Sequence, residues 1–361
     1  MWLLLCVLCA VGREIRTSKL PNDTEIVLVT VVFRHGERTP SKFYPNDPYK
    51  NETFYPIGFG GLTNKGKLMM YKLGEKLRNL YGDLLGDDYE EEKVYVRSTN
   101  VTRTKMSALL VLAGMWPPSD SQKWHPSLNW QPIPIDVKSR ENEQVLNPVC
   151  EPLYKELRSN YKKRDIYENH IKPYENLFQY TQNNSGYKIN DFVDINRLFV
   201  ILKCEEAYGL KLPKWTDIIY PQKLYEAASY AYKYLNLEKK FRVFNSGYLM
   251  QKIIDDMVLK IENVLKRRRI IMYSGHDTSV AHLLCNLKLN CDSPDYGSTV
   301  IFELHKKNNS FFIKIKYLKQ PLRPTMEDMT IFSCENLCPI DEFIKLQIDN
   351  DYLPTSEFKC I

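Results

Sequence analysis

The sequence has no hydrophobic run long enough to cross a membrane and no paired clusters of cysteine and histidine at metal-binding spacing. A membrane-spanning helix needs about 20 consecutive apolar residues, which no part of the chain offers. A structural zinc site needs two ligand pairs, whereas the pair formed by Cys334 and Cys338 has no second half. We therefore expect no membrane insertion and no bound metal.

The longest apolar run lies at the start of the chain, from Trp2 to Val11, and is followed by Gly12 and charged residues. Its length and the small residues at its end are typical of a secretory signal peptide. We predict that residues 1–12 are this signal peptide and that the product is secreted to the extracellular space. The seven cysteines beyond it should then mostly form disulfides.

The overall charge does not point to a nucleic-acid partner, although the formal net charge is +6. The densest basic run, from Lys266 to Arg269, lies between an amphipathic helical pattern and a hydrophobic strand. Cations are favoured at a helix C-terminus, so this run is more typical of a helix end than of a nucleic-acid patch. Charged residues at 26% and hydrophobic residues at 43% describe an ordinary globular protein.

The most informative stretch is residues 25–40. Ile26 to Phe33 is an almost unbroken run of β-branched and aromatic residues, which predicts a strand buried on both faces of a parallel sheet. It ends in the sequence Arg34-His35-Gly36-Glu37-Arg38-Thr39-Pro40. Ligands of open α/β sheets bind beyond the carboxyl ends of the strands, and guanidinium groups match phosphate oxygens in geometry and charge. This stretch therefore predicts a phosphate site.

A second predicted strand, residues 93–97, also ends in an arginine, Arg97, and is followed by Ser98 and Thr99 at the start of a helical pattern. Backbone N–H groups at a helix N-terminus attract anions. Arg97 is therefore a candidate third phosphate contact.

A third predicted strand, Ile270 to Tyr273, leads through Ser274-Gly275 into His276-Asp277 and another helix. An aspartate at a helix start is often an ordinary cap. A third strand that ends in titratable residues nevertheless favours a functional role for His276 and Asp277.

Helical spacing of apolar residues follows Thr63 and returns between Ser246 and Leu265, which provides the crossovers that a parallel sheet needs. Residues 298–304 and 311–318 resemble two late strands, predicted as a hairpin at the sheet edge. Between the two helical patterns, from Gly114 to about residue 240, the sequence is first rich in proline, tryptophan and tyrosine, and helical spacing then returns. We predict an α/β domain of residues 20–120 plus 240–361 and a smaller inserted α-helical domain of residues 121–239.

The motif Arg-His-Gly-x-Arg-x-Pro after a hydrophobic strand, with the later Arg-Ser-Thr and His-Asp segments, resembles the histidine acid phosphatases. Among them the sequence resembles the prostatic and lysosomal enzymes and, most closely, the insect venom acid phosphatases, from Glu25 to Cys360. The resemblance implies a mainly parallel central sheet flanked by helices, as in phosphoglycerate mutases, and no cofactor. It assigns His35 as the nucleophile, Asp277 as the proton donor, and Arg34, Arg38, Arg97 and His276 as the phosphate-binding residues.

The resemblance also suggests disulfides and a contact surface. It pairs Cys150 with Cys360 and Cys334 with Cys338. The residues leave Cys204 to pair with Cys285 or Cys291 or to stay free, and we favour Cys291. The region of Trp124 is similar to a dimer-contact segment of vertebrate relatives, which makes a homodimer possible. Glycosylation sequons stand at Asn22, Asn51, Asn100, Asn183 and Asn308.

These patterns predict a secreted acid phosphatase that hydrolyses small phosphate monoesters through a phosphohistidine, a glycoprotein similar to venom components. A phytase or inositol-phosphate phosphatase is one alternative, although the resemblance links phytases more to His-Ala-Glu than to the His-Asp-Thr found here. A non-catalytic secreted binding or allergen protein on the same fold is another. A sugar-phosphate mutase is a third, which the signal peptide and disulfides disfavour. The remaining histidines, His125, His170, His282 and His305, are interpreted as structural or surface residues.

Overall fold

The computed structural model describes residues 24–148, 150–160, 167–323, 325–331, 334, 337–350 and 352–354. The predicted signal peptide, the sequon at Asn22 and Cys360, with its expected bond to Cys150, lie outside these ranges. No helix within the described ranges combines the length and the apolar character that crossing a membrane requires.

A mixed β-sheet forms the centre of the molecule. Four strands are parallel: β1 (Glu25–Arg34), β2 (Val94–Ser98), β3 (Asp136–Val137) and β4 (Ile270–Gly275). Four more run antiparallel to their neighbours: β5 (Thr299–Lys307), β6 (Ser310–Leu318), β7 (Glu327–Met329) and β8 (Cys338–Pro339). The order is β3-β2-β4-β1-β5-β6-β7, with β8 also paired to β6.

This sheet confirms the α/β class and corrects one detail of the prediction. The late hairpin of β5 and β6 does not form the edge of the sheet, because β5 pairs with the central strand β1 and β6 is covered by β7 and β8. The parallel part of the sheet therefore contains β1 to β4, and the second half is antiparallel.

Ten α-helices accompany the sheet in the described part of the chain. They are α1 (Asn64–Leu85), α2 (Thr102–Met115), α3 (Glu151–Asn160), α4 (Glu175–Ser185), α5 (Phe192–Tyr208), α6 (Gln222–Tyr234), α7 (Lys239–Arg242), α8 (Tyr248–Ile261), α9 (Asp277–Asn286) and α10 (Ile340–Asp349). Short single turns of 3₁₀- or π-helix connect several of them.

Strand β1 is buried on both faces, as its composition predicts. Val31 packs in one apolar cluster with residues of α1 and α2, and Val32 packs in a second cluster with residues of α8 and α9. Successive side chains of a strand point to opposite faces, so an unbroken apolar run is what two covered faces require. The strand is thereby held rigidly in the centre of the molecule.

The helices between α3 and α7 share a third apolar cluster, built mainly from residues 171–241. It contains many aromatic rings, for example Phe192, whose ring centroid lies 4.7 Å from that of Tyr230. Tyr44, from the loop between β1 and α1, also joins this cluster. Tyr44 thus packs the loop that follows residues 34–40, which we call the first motif, onto the helical segment.

The disulfides agree with one prediction and contradict another. Cys334 is bonded to Cys338, as the resemblance implied. Cys285 is bonded to Cys291, so the predicted bond from Cys204 to Cys291 is wrong. Cys291 lies only six residues beyond Cys285, just past the end of α9, and this local pairing leaves Cys204 as a buried free thiol.

Candidate active site

Three strand ends converge where the sequence predicted a site. In the parallel register Arg34 lies beside Gly275, and Ser98 lies beside Ser274. The carboxyl ends of β1, β2 and β4 therefore form one edge, and the loops that leave them carry the candidate residues. A cavity of ≈ 430 Å³ opens there, which we call the reaction cavity. It is lined by His35, Arg38, Thr99, Asn100, Val101, Arg103, Arg140, Glu143, Asn147, His276, Asp277 and Thr278.

His35 is buried at the floor of this cavity with a defined tautomer. Its Nδ1 lies 2.8 Å from the carbonyl oxygen of Gly36, which can only accept, so Nδ1 carries the proton. Its Nε2 accepts a hydrogen bond from Nε of Arg103 at 2.9 Å. Burial and the neighbouring cations Arg103 and Arg34 hold the pKa of His35 well below its usual value. The imidazole is therefore neutral, with a lone pair on Nε2.

The guanidinium of Arg34 is fixed on three sides. One Nη donates to the carbonyl oxygen of Pro294 at 2.5 Å, and the other lies 3.1 Å from Oδ2 of Asp277. The ring of Tyr296 lies 4.3 Å from its central carbon, which is a cation–π contact. Burial works to lower the pKa of Arg34, but the Asp277 carboxylate and other groups raise it, so the residue is a permanent cation. Sequence analysis did not identify Tyr296.

Arg38 contacts the same cavity from the turn that follows β1. Its Nη1 donates to the carbonyl oxygen of Thr39 at 2.9 Å, and its backbone forms an isolated bridge with Leu62. The Nε atoms of Arg38 and of Arg34 are buried and lack a partner in the described part of the chain. Unpaired buried donors on two adjacent cations are the groups that an oxyanion would satisfy.

His276 and Asp277 stand together at the N-terminus of α9. Nε2 of His276 lies 3.1 Å from the hydroxyl oxygen of Thr99, and its ring packs edge-on against His35 with centroids 5.7 Å apart. Burial and nearby cations lower the pKa of His276 to about 3. Oδ1 of Asp277 accepts from the backbone N–H of Thr278 at 2.8 Å. Burial works to raise the pKa of Asp277, but Arg34, His276 and Arg38 lower it below its usual value.

Arg97 does not contact the reaction cavity, and the structure does not support the role predicted for it. Its Nη2 lies 2.9 Å from both carboxylate oxygens of Glu143, and both side chains are buried. Glu143 in turn accepts from the backbone N–H groups of Val145 and Leu146. Arg97 therefore holds the segment after β3 against β2.

Arg103, on the first turn of α2, occupies the place expected for Arg97. Besides its contact with His35, it lines the cavity, and burial and the charge of Arg38 lower its pKa to about 10. Arg103 was missed because it lies within a helix rather than at a strand end. Val101, the N-cap of α2, and Arg103 both line the cavity, so the start of this helix lies at the site.

Two residues of the first motif are structural. A Cβ on Gly36 would lie 2.5 Å from the carbonyl oxygen of Gly66, so only glycine permits this close approach of the loop to α1. Glu37 is buried and accepts from the hydroxyl of Thr63 at 2.9 Å, while Lys65 lies 2.9 Å from its other oxygen. Thr63 is the N-cap of α1. The glycine and the glutamate thus lock the motif onto the helix.

The charge of the site suits an anion. Within the described ranges, Cys334, Cys338 and Glu342 form a cluster of the residue types that bind metals, but its two cysteines are bonded to each other in a disulfide. Three guanidinium groups, from Arg34, Arg38 and Arg103, lie near His35. Two carboxylates, Asp277 and Glu143, line the cavity, and that of Glu143 is paired with Arg97. Such a set can bind a phosphoryl group with side chains of the protein alone.

The pattern of the family described as histidine phosphatase superfamily (branch 2) matches residues 25–318. The chain is 35% identical over 343 residues to the venom acid phosphatase of Apis mellifera, covering 93% of this chain and 87% of that protein. It is also 35% identical over 329 residues to the prostatic acid phosphatase of Rattus norvegicus, covering 89% of this chain and 86% of that protein.

Solved structures with the same fold include bacterial phytases. A phytase of Klebsiella sp. ASR1 superposes with a TM-score of 0.68 at 14% identity, covering 92% of this chain and 98% of that one. A phytase of Hafnia alvei in complex with myo-inositol hexakis sulphate gives 0.68 at 17% identity, covering 93% and 99%. At such low identity these likenesses establish the α/β fold alone.

Proposed function

This chain belongs to branch 2 of the histidine phosphatase superfamily and is an acid phosphatase of that type, and on this premise we propose that it hydrolyses phosphate monoesters through a phosphohistidine on His35. The observation that carries the proposal is the state of His35. A neutral imidazole with its proton on Nδ1 offers the Nε2 lone pair to a cavity surrounded by three guanidinium groups.

Binding is the first step that the residues would perform. The transferred phosphoryl group carries charge on three equatorial oxygens, and its transfer needs positioning and charge stabilisation more than covalent chemistry. Arg34, Arg38 and Arg103 would hold those oxygens, with His276 beside them. The guanidinium of Arg103 would move its donor from Nε2 of His35 to a phosphate oxygen, which frees the lone pair for attack.

The covalent step forms a bond from Nε2 of His35 to phosphorus while the bond to the alcohol oxygen breaks. The imidazole becomes cationic, and the carbonyl oxygen of Gly36 stabilises it through Nδ1–H. A water molecule then attacks phosphorus, the bond to nitrogen breaks, and His35 returns to its neutral form. Dividing the reaction into two displacements lowers the barrier of each.

Asp277 would provide the proton for the leaving alcohol and take one from the attacking water. In the empty site the nearby cations keep it ionised. A bound phosphate brings negative charge beside Arg34 and Arg38 and so raises the pKa of the carboxyl group. Substrate binding and an acidic medium together then place a proton on Asp277, so we expect the activity to be highest in acid.

We also propose the cellular setting and the domain division that the sequence predicted. The two disulfides fit an oxidising compartment, and three of the sequon asparagines, Asn51, Asn183 and Asn308, are exposed. Asn100 is also exposed but lines the reaction cavity, so a glycan there would narrow the entrance. The apolar cluster of residues 171–241 supports a helical cap, residues 121–239, on a catalytic domain of residues 20–120 plus 240–361.

The test is hydrolysis of p-nitrophenyl phosphate from pH 3 to 8 with a chelator present, by the native chain and by His35→Ala. We expect turnover that peaks in acid and falls at least about 1,000-fold in the variant. Quenching in alkali during turnover should trap a phosphoprotein that is stable to base and labile to acid, in the native chain only. A folded, disulfide-intact sample without turnover would refute the enzymatic reading and favour a non-catalytic secreted protein on this fold.

A further inference from the structure

A second cavity adjoins the reaction cavity, and we call it the side cavity. It encloses ≈ 710 Å³ and shares Arg140, Asn147 and Thr278 with the reaction cavity. Thr278 directly follows Asp277, the proposed proton donor. In-line displacement places the leaving alcohol opposite the nucleophile His35 and next to the proton donor. The alcohol part of a bound monoester therefore has direct access to the side cavity.

His282 gives the wall of this cavity a hydrogen-bond donor. It lies four residues after Thr278 on α9, so both face the same side of the helix, and it is buried. The side-chain nitrogen of Asn236 donates to Nδ1 of His282 at 2.6 Å and to the carbonyl oxygen of Tyr232 at 2.7 Å. Because that carbonyl can only accept, the amide orientation is fixed, and Nδ1 of His282 is the acceptor.

The proton of His282 therefore resides on Nε2, since burial lowers its pKa to about 4 and keeps the ring neutral. This Nε2–H has no hydrogen-bond partner within the described ranges, and it is not sealed from the cavity. An unpaired donor on a buried side chain that lines a cavity can form a hydrogen bond with a ligand oxygen that enters.

Further polar groups surround this donor. The ring of Tyr232 packs edge-on against His282, and the Tyr232 hydroxyl accepts from the side-chain nitrogen of Asn196 at 3.3 Å. The hydroxyl can donate in turn, and Asn245 also lines the cavity. A wall with several donors and acceptors suits hydroxyl groups better than a purely apolar group.

The mouth of the side cavity is cationic. Arg140, Lys155 and Arg197 line it with one carboxylate, that of Glu151, and all four are exposed. Arg197 lies 3.2 Å from Asp194 but keeps further donors free for a ligand. The three cations outnumber the one carboxylate at this mouth, and the net positive charge favours a substrate with a second anionic group.

We propose that the side cavity selects, as leaving group, a hydroxylated alcohol that bears a second anionic group, with His282 binding a hydroxyl and Lys155 and Arg197 attracting the anion. This inference rests on the proposed phosphatase function and adds a substrate class to it. The natural substrate class is accordingly a polyol or sugar with two phosphates, or with a phosphate and a carboxylate.

The test compares kcat/KM of the secreted chain for three probes: p-nitrophenyl phosphate, fructose 6-phosphate and fructose 1,6-bisphosphate. The native chain should prefer the bisphosphate to the monophosphate by at least about fivefold. His282→Leu should lower kcat/KM about tenfold for both sugar esters, the value of one lost hydrogen bond, and change it less than about twofold for p-nitrophenyl phosphate. His282→Gln keeps a donor and should recover part of the loss. This variant tests the hydrogen bond even if His282→Leu folds poorly.

Lys155→Met should lower kcat/KM several-fold for the bisphosphate only. Lys67→Met on α1, a partly exposed lysine outside both cavities, is the control and should change nothing. Equal losses for all three probes in His282→Leu, or no preference for the bisphosphate, would overturn the proposal while leaving the phosphatase function intact. Failure of the native chain on p-nitrophenyl phosphate would instead refute the function on which the proposal rests.

Discussion

Nε of Arg103 lies 2.9 Å from Nε2 of His35, so a guanidinium from α2 rests against the nitrogen that would attack phosphorus. The contact places a fixed cation within reach of both the nucleophile and the phosphate oxygens. Arg97 is chemically identical and only six residues earlier, but it does not line the reaction cavity and is paired with Glu143. The two arginines thus provide a natural comparison of a cavity-facing and a structural guanidinium.

Replacing Arg103 by methionine should reduce kcat for p-nitrophenyl phosphate about 100- to 1,000-fold, since one preorganised donor to a developing oxyanion is worth that much. Replacing Arg97 by methionine should keep kcat within a few-fold of the native value. It should, however, lower the free energy of unfolding by about 3 to 5 kcal/mol, because it leaves the buried carboxylate of Glu143 without its partner. Steady-state kinetics and urea unfolding of both variants check this.

The double variant Arg97→Met/Glu143→Gln is the control, because it removes the unpaired charge and should recover part of the lost stability. The assignment would be reversed if Arg97→Met abolished turnover in a folded sample while Arg103→Met did not.

The acidic limb of the pH profile should depend on Arg103. Burial and the charge of Arg103 hold the pKa of His35 well below its usual value, so His35 stays a neutral nucleophile in acid. Loss of that cation raises the pKa of His35, and protonation then removes the nucleophile at higher pH. The acidic limb of kcat/KM for Arg103→Met should therefore move to higher pH, and that for Arg97→Met should stay in place. Identical limbs in the two variants would contradict this origin of the low pKa.

The central strand and the three strand ends could be predicted because each leaves a local signal. An unbroken β-branched run requires two covered faces, and residues 34–38 and 276–277 follow such runs directly. The parallel sheet then brings these residues together by its register, since Arg34 lies beside Gly275. Topology rather than proximity in sequence therefore made this part of the site predictable.

The choice between Arg97 and Arg103 could not be made from local pattern. Arg97 ends a strand and so resembled Arg34, but its direction is set by Glu143, a residue 46 positions away in an irregular segment. Arg103 lies on a helix whose first turn faces the cavity, which only the packing of α2 against the sheet determines. The pairing of Cys204 failed for a similar reason, because a local bond between Cys285 and Cys291 competes with every distant one.

Replacing Asp277 by asparagine should affect substrates according to their leaving groups. An alkyl phosphate expels a basic alkoxide that needs a proton, whereas p-nitrophenolate leaves without one. We expect kcat to fall about 100- to 10,000-fold for an alkyl ester such as glycerol 2-phosphate and much less for p-nitrophenyl phosphate. Parallel assays with both esters check this. Equal losses for the two esters would show that Asp277 acts by fixing Arg34, 3.1 Å away, and not as a proton donor.

Stability should decrease as the pH rises because of a carboxyl pair beneath the active-site loop. Glu205 on α5 is fully buried, and burial together with the adjacent Asp47 raises its pKa to about 9. Asp47 belongs to the loop between β1 and α1 and accepts from the backbone N–H of Tyr49. A protonated Glu205 can share its proton with Asp47, and this contact joins the loop to the helical segment.

The sign of the effect follows from linkage. In the unfolded chain Glu205 has a pKa of about 4.3, so between that pH and about 9 the folded state binds more protons than the unfolded state. The stabilisation is complete below about pH 4.3 and is lost as the pH rises through 9. Glu205→Gln stays neutral at every pH. As the pH rises from 5 to 8, the free energy of unfolding of the variant should therefore increase relative to that of the native chain, by at most about 1.4 kcal/mol per pH unit. Urea unfolding at each pH measures this, and Glu262→Gln, at an exposed position, is the control. If the free energy of unfolding changed with pH at the same slope in all three proteins, Glu205 would be ionised in the folded state.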